Sequence, residues 1–143
     1  MIQTRTVVHI VDNTDVLSVR CFKPRKISRL GDIVPCSVLK VVKNKGAKTR
    51  EAKTTGNSGT GTPSTYKRGD VVHALVINTS SRNSRGFKRN GIRTVFTMNC
   101  GILRVNAGKE GWVPVGTRIR GAVPRILRQK GWSNVVARAE NLV

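Results

Sequence analysis

Short runs of β-branched residues, cut at close intervals by turn formers, confine this chain to a small β fold. Thr6 to Val11 reads Thr-Val-Val-His-Ile-Val, apolar on both faces, and stops at the turn cluster Asp12-Asn13-Thr14-Asp15. Leu17, Val19 and Cys21 then alternate with Ser18 and Arg20, the period of a strand with one wet face. A third apolar run covers Ile33 to Val42, with Pro35 near its start, where a missing N–H is tolerated at an edge. Val71 to Ile77 is apolar apart from His73. Asn90-Gly91 is a favoured hairpin dipeptide, after which Ile92, Thr94, Phe96 and Met98 alternate with Arg93, Val95 and Thr97. Ile102 to Val105 adds a further short strand, for about five or six in total.

The tail changes character. Pro114 to Gly121 reads as a structured loop, Pro124 suits a first helical position, and Arg125 to Lys130 predicts a short helix ended by Gly131. Ile126 and Leu127 anchor that helix, while Arg125 and Arg128 share a face. Val135-Val136-Ala137 reads as a short terminal strand. The pattern predicts a mainly β fold, a small β-barrel with a short C-terminal α/β appendage. A length of 143 residues fits one domain, and an aromatic content of 4% means that Val, Ile, Leu and Ala must build its core. Within that domain, positions 43–65 form an expected flexible basic insertion. Its second half, Thr54 to Thr65, holds only Thr, Gly, Asn, Ser and Pro.

Lys and Arg number 27 against 7 acidic residues, a formal charge of +20. Such a chain repels itself, so its natural state includes a polyanion, and phosphates at RNA density are the obvious one. The cations concentrate in connections. Lys23, Arg25, Lys26 and Arg29 form one group, and Lys43, Lys45, Lys48 and Arg50 a second. Arg82, Arg85, Lys88 and Arg89 form a third, Arg118, Arg120, Arg125, Arg128 and Lys130 a fourth, and Lys67 and Arg68 open the fourth apolar run. Loops at the ends of a barrel can reach several RNA segments together. Arg predominates in the third and fourth groups, where its planar fork suits phosphate contact.

Other chemistry is poorly represented. His9 and His73 are candidates for general acid–base work, as in a small basic nuclease, but both lie inside apolar runs where a structural histidine is the plainer reading. Asp32 and Asp70 each follow a glycine at the mouth of a strand, which suits turn-stabilising hydrogen bonds better than a metal pair. Cys21, Cys36 and Cys100 show no CxxC pair, so each reads as a small buried residue on a strand; no metal or cofactor is expected. No apolar run reaches the roughly 20 residues of a membrane span, no secretion signal opens the chain, and a soluble protein inside a cell or organelle is expected. A free RNA chaperone of the OB or cold-shock type is the competing binding module. It needs aromatics on adjacent strands, whereas Tyr66, Phe87, Trp112 and Trp132 lie in or beside loops.

Several motifs together resemble one family. Met1-Ile2-Gln3 with Thr6 and Asp12-Asn13, then Val19, Cys21 and Lys23, are similar to the amino terminus of the universal large-subunit ribosomal protein L-fourteen family. Leu30-Gly31-Asp32, Lys67 to Val71 with Ala74, and Asn90-Gly91 with Phe96 and Asn99 continue the likeness. Pro114 to Ile119, then Gly121, Val123, Arg125, Leu127 and Arg128, extend it almost to the end. The resemblance implies a closed five-stranded barrel on large-subunit rRNA at the face toward the small subunit, and no catalysis. It also implies contact with a neighbouring protein of the L-nineteen family, a bridge to small-subunit rRNA, and docking of a ribosome-silencing factor. The chain departs from the family at Thr14-Asp15-Val16, where Ser-Gly-Ala is usual, at Asn78, where Arg is usual, and at Thr97-Met98, where an acidic pair is usual. The loop around Lys26 is shorter and the 43–65 stretch is added. That drift points to an organellar ribosome, in the mitochondrial matrix ahead of the plastid stroma or a bacterial cytoplasm.

Overall fold

A computed structural model describes residues 2–22, 27–42, 66–80, 87–89, 92–94, 97–106 and 112–143. The expected insertion at 43–65 lies outside them. Four strands, β1 (Val7–Ile10), β2 (Val16–Cys21), β3 (Ile33–Val41) and β4 (Val71–Asn78), pair antiparallel in chain order. A short separate ribbon follows, β5 (Phe87–Arg89) with β6 (Ile92–Thr94), where Arg89 faces Ile92 as a two-residue connection requires. Strand β7 (Cys100–Asn106) returns to β4 and on its other edge pairs parallel with β1, His9 opposite Cys100. That contact closes a five-stranded mixed barrel. The far half of the same edge takes β8 (Trp112–Pro114). The tail is β9 (Ile119–Val123), α1 (Ile126–Gln129), α2 (Ser133–Ala137) and β10 (Ala139–Leu142), with β10 parallel to β9.

Two apolar clusters result. Val8, Val19, Cys21, Val34, Cys36, Ala74, Val76 and Leu103 point into the barrel. Leu75, Ile77 and Ile102, on the outer face of β4 and β7, meet Ile119, Val123, Leu127 and Val135 from the tail. Strand β4 is therefore covered on both faces, which is why its sequence is nearly continuous in apolar residues. Strand β1 is not. Its run is apolar on both faces in the sequence, yet Val7 and His9 point outward and are exposed while Val8 and Ile10 point in. Among the described residues the tail cluster does not include that face, and Val7 reflects strand preference without burial.

The proline in β3 fits its place. The Pro35 carbonyl accepts from the Phe22 N–H at 3.4 Å, so its missing N–H lies on the β2 side, just past Cys21 where β2 ends. Two further expectations are corrected in the tail. The residues read as a loop up to Gly121 enter β9 at Ile119, because Arg120 and Ile119 donate to Val11 and Arg138 carbonyls. Val135 to Ala137 is helical, and the terminal strand lies beyond it. Burying Val135 against Leu127 outweighs the weak β preference of two valines in so short a segment. The α1 helix forms where expected, with Leu127 buried and Arg125 and Arg128 exposed.

Candidate nucleic-acid interface

Two motifs far apart in sequence interlock at one end of the barrel. The Asn13 side chain accepts from the Thr117 N–H at 2.9 Å and the Arg118 N–H at 3.2 Å, and its amide donates to the Thr117 hydroxyl at 2.9 Å. Beside it, one Asp12 oxygen accepts from the Leu103 N–H at 2.8 Å. The other accepts from the Thr14 N–H at 3.0 Å and from the Thr14 hydroxyl. Burial pushes the Asp12 pKa up, while these hydrogen bonds pull it down less strongly. The turn thus accepts Thr14 and Asp15 in place of the usual Ser-Gly, since Arg5 is the one non-glycine among the described residues with positive φ.

Gly116 is required by proximity. A Cβ there would stand 2.6 Å from Asp12 Cβ and 2.9 Å from Asn13 Oδ1, closer than atoms pack. Behind the loop, Arg138 donates to the Pro114 and Gly116 carbonyls at 3.0 and 2.8 Å. The clasp therefore fixes the backbone from Pro114 to Arg120 while leaving the Arg118 and Arg120 side chains exposed. An open cleft of about 420 Å³ adjoins Arg120, floored by Ile10, Val16 and Leu17.

The two Gly-Asp turns use one device. Asp32 Oδ2 accepts from the Arg29 N–H and Asp70 Oδ2 from the Lys67 N–H, each at 2.7 Å, as the expected turn bonds require. They lie at opposite ends of the β3–β4 pair, since Asp32 bonds with Val76 and Asp70 with Val38. Arg29 is thus roughly 20 Å from Lys67 and Arg68 along the strands. All three side chains are exposed. Arg29 instead neighbours the fourth basic group, because Lys130 lies across Gly31 and its Nζ donates to the Leu30 carbonyl at 2.7 Å. Gly31, at φ 88°, admits that side chain where a Cβ would meet Lys130 Cδ at 2.7 Å.

Sequence reading did not bring these groups together, and it gave Lys130 no structural tie. Lys88 and Arg89 lie on β5, opposite Arg93 and Ile92. Lys23, Arg25, Lys26, Lys43, Lys45, Lys48, Arg50, Arg82 and Arg85 lie outside the described residues. The search for cations in loops also passed over exposed Arg20 and Lys40, which stand on strands. It missed Arg104, which is buried against Trp132 of the tail, and Arg138, a half-buried tail residue that holds the Pro114 to Gly116 loop.

The histidines do not form an acid–base pair. His9 faces Cys100 and His73 faces Arg104 on the other edge of β7, about 13 Å apart along the strand alone. Cys21 and Cys36 are fully buried and opposite one another, and burial, then the neighbouring Cys21, pushes the Cys36 thiol up. Among the described residues no cluster of His, Cys, Asp or Glu could hold a metal.

The family model described as ribosomal protein L14p/L23e matches residues 1–143. The large ribosomal subunit protein uL14m of Neurospora crassa is 32% identical over 139 residues, 97% of this chain and 97% of that protein. With that match running through both halves of the Asn13 clasp and the barrel behind it, the chain belongs to the ribosomal protein L14p/L23e family, as a structural and non-enzymatic constituent of the large ribosomal subunit.

Proposed function

We propose that the barrel holds several rRNA segments together through cations displayed at its ends, and that it does so on the subunit face that meets the small subunit. Arg118 and Arg120 carry this reading, because the Asn13 clasp fixes their backbone before RNA arrives. A pre-set fork loses less freedom on binding phosphate than one on a loose loop. Arg29, Arg125, Arg128 and Lys130 extend the same surface around α1, and Lys67 and Arg68 reach a separate RNA segment at the other end of β3–β4. Lys23, Arg25, Lys26, Lys43, Lys45, Lys48, Arg50, Arg82, Arg85, Lys88 and Arg89 complete the proposed set. The whole chain acts as one domain, with positions 43–65 as an insertion that orders on rRNA or an added protein.

The same reading includes a bridge to small-subunit rRNA, contact with a neighbour of the L-nineteen family, and docking of a ribosome-silencing factor. Similarity to a uL14m protein supports a mitochondrial ribosome. Charge reversal at Arg118 and Arg120 together tests the central claim. The expected result is loss of the protein from large-subunit fractions on sedimentation, with the melting temperature of the free chain unchanged. Normal particle yield with both residues reversed defeats the reading. Fractionation that finds the particle outside mitochondria defeats the location alone.

A further inference from the structure

The cleft beside Arg120 lies between the β1–β2 turn and the end of β3. Leu17 and Val42 belong to its apolar side, while Asn13, Thr14 and Arg120 supply polar edges. The apolar side can be reached from outside, since Leu17 is 49% exposed and Val42 40%. Register explains that exposure at Leu17, because β2 shifts against β3 on both sides of Ser18 and leaves Leu17 out of the barrel. The carboxylate in the lining, Asp12, already accepts from Leu103 and Thr14. The mouth is therefore cationic, with Arg120 exposed and Arg118 exposed two residues before it. We propose, on the basis of the rRNA reading above, that one nucleotide unstacked from large-subunit rRNA inserts its base into this cleft and sets its phosphate on Arg120.

The lining favours a nucleotide over a protein side chain. A base is flat, apolar over its faces and polar along its edges, and unstacked bases are the ones that proteins bind singly. Every nucleotide also carries the anion that Arg120 calls for, whereas an apolar side chain of a neighbouring protein would leave that charge unmatched. A volume of about 420 Å³ stands near the lower end for small-ligand sites, about 300–1,000 Å³, which suits one nucleotide and not a longer strand. The backbone on both sides is fixed beforehand. The Arg120 N–H donates to the Val11 carbonyl at 2.7 Å, and the Val42 N–H to the Asp15 carbonyl at 2.8 Å. Little ordering cost therefore opposes entry of the base. Aliphatic side chains here take the place of the stacking aromatics of single-strand binders, so a count of aromatics gives no sign of the site.

A density map of the intact large subunit is the direct test. An rRNA base against Leu17, with a phosphate oxygen within about 3 Å of the Arg120 guanidinium, is the expected result. A protein side chain, a residue of positions 43–65, or water alone in the cleft overturns the proposal. Binding of the full chain to protein-free large-subunit rRNA gives a second test, because salt separates the two contacts. Leu17→Ser should weaken binding roughly 5- to 10-fold with the salt slope unchanged, since apolar contact releases no counterion. Leu17→Met should bind as the wild type does. Both variants should keep the free chain's melting temperature, because Leu17 is half exposed. Arg120→Ala should instead lower the slope by about 0.7 to 0.9. Unchanged affinity of Leu17→Ser, with the Arg120 slope response intact, defeats the inserted base alone. A slope that ignores both Arg118 and Arg120 defeats the rRNA reading and this proposal with it.

Discussion

Asp12 sits where two demands on a carboxylate conflict. It must accept bonds from Leu103 and Thr14 to join the first strand to the seventh, yet those bonds lie where water is excluded. Replacing it with alanine leaves buried N–H groups without acceptors, and denaturant unfolding at neutral pH should show a loss of about 1–3 kcal/mol. Asp12→Asn keeps an acceptor and removes the charge. Because the folded chain holds the Asp12 proton to higher pH than the unfolded chain, ionisation costs stability as pH rises above 3.8. The wild type should lose stability relative to Asp12→Asn through that window, and an equal pH profile for the two proteins would contradict the burial argument. Asp12-Asn13 was legible in the sequence as a turn. Its acceptors and donors were not, because Thr117 lies 104 residues away and polar pairing at that range leaves no periodic trace.

Elements whose environment is uniform were the easiest to read. Strand β4, covered on both faces, is a solid apolar run, whereas the alternation expected of β2 holds only for Val19, Arg20 and Cys21, because a register shift before Val19 leaves Leu17 exposed and Ser18 buried. The Gly-Asp turns were legible as well, since they are closed by residues three apart. Valines misled in the tail, in the helix that buries Val135, because β preference is weaker than tertiary packing. For the candidate site, sequence reading located the cations by loop but not their grouping, which depends on Lys130 reaching Leu30 a hundred residues earlier. Packing of the tail yields its own prediction. Leu127 is fully buried in the second cluster, so Leu127→Ala should cost about 2–5 kcal/mol in unfolding experiments. Hydrogen exchange should quicken in α1, β9 and β10 before it does in β1 to β3, because the barrel interior is a separate cluster.

At the scale of the molecule, a formal charge of +20 sets the terms of assembly. Binding to duplex rRNA should weaken linearly on a logarithmic salt scale, and each of Arg118, Arg120, Arg125 and Arg128 replaced by alanine should reduce the slope by about 0.9. A slope that ignores these changes would mean that the contacts lie elsewhere. The parallel joint between β1 and β7 has a different consequence, in time. Residues 7–10 wait for residues 100–106 before the barrel can shut, so a growing chain must carry its first strands as an open sheet until most of the protein has left the ribosome that makes it. During that interval the unpaired strand margins are exposed on a chain that is already cationic. Mutual repulsion then keeps unfinished copies apart, and the charge that suits the finished protein to RNA also guards its synthesis.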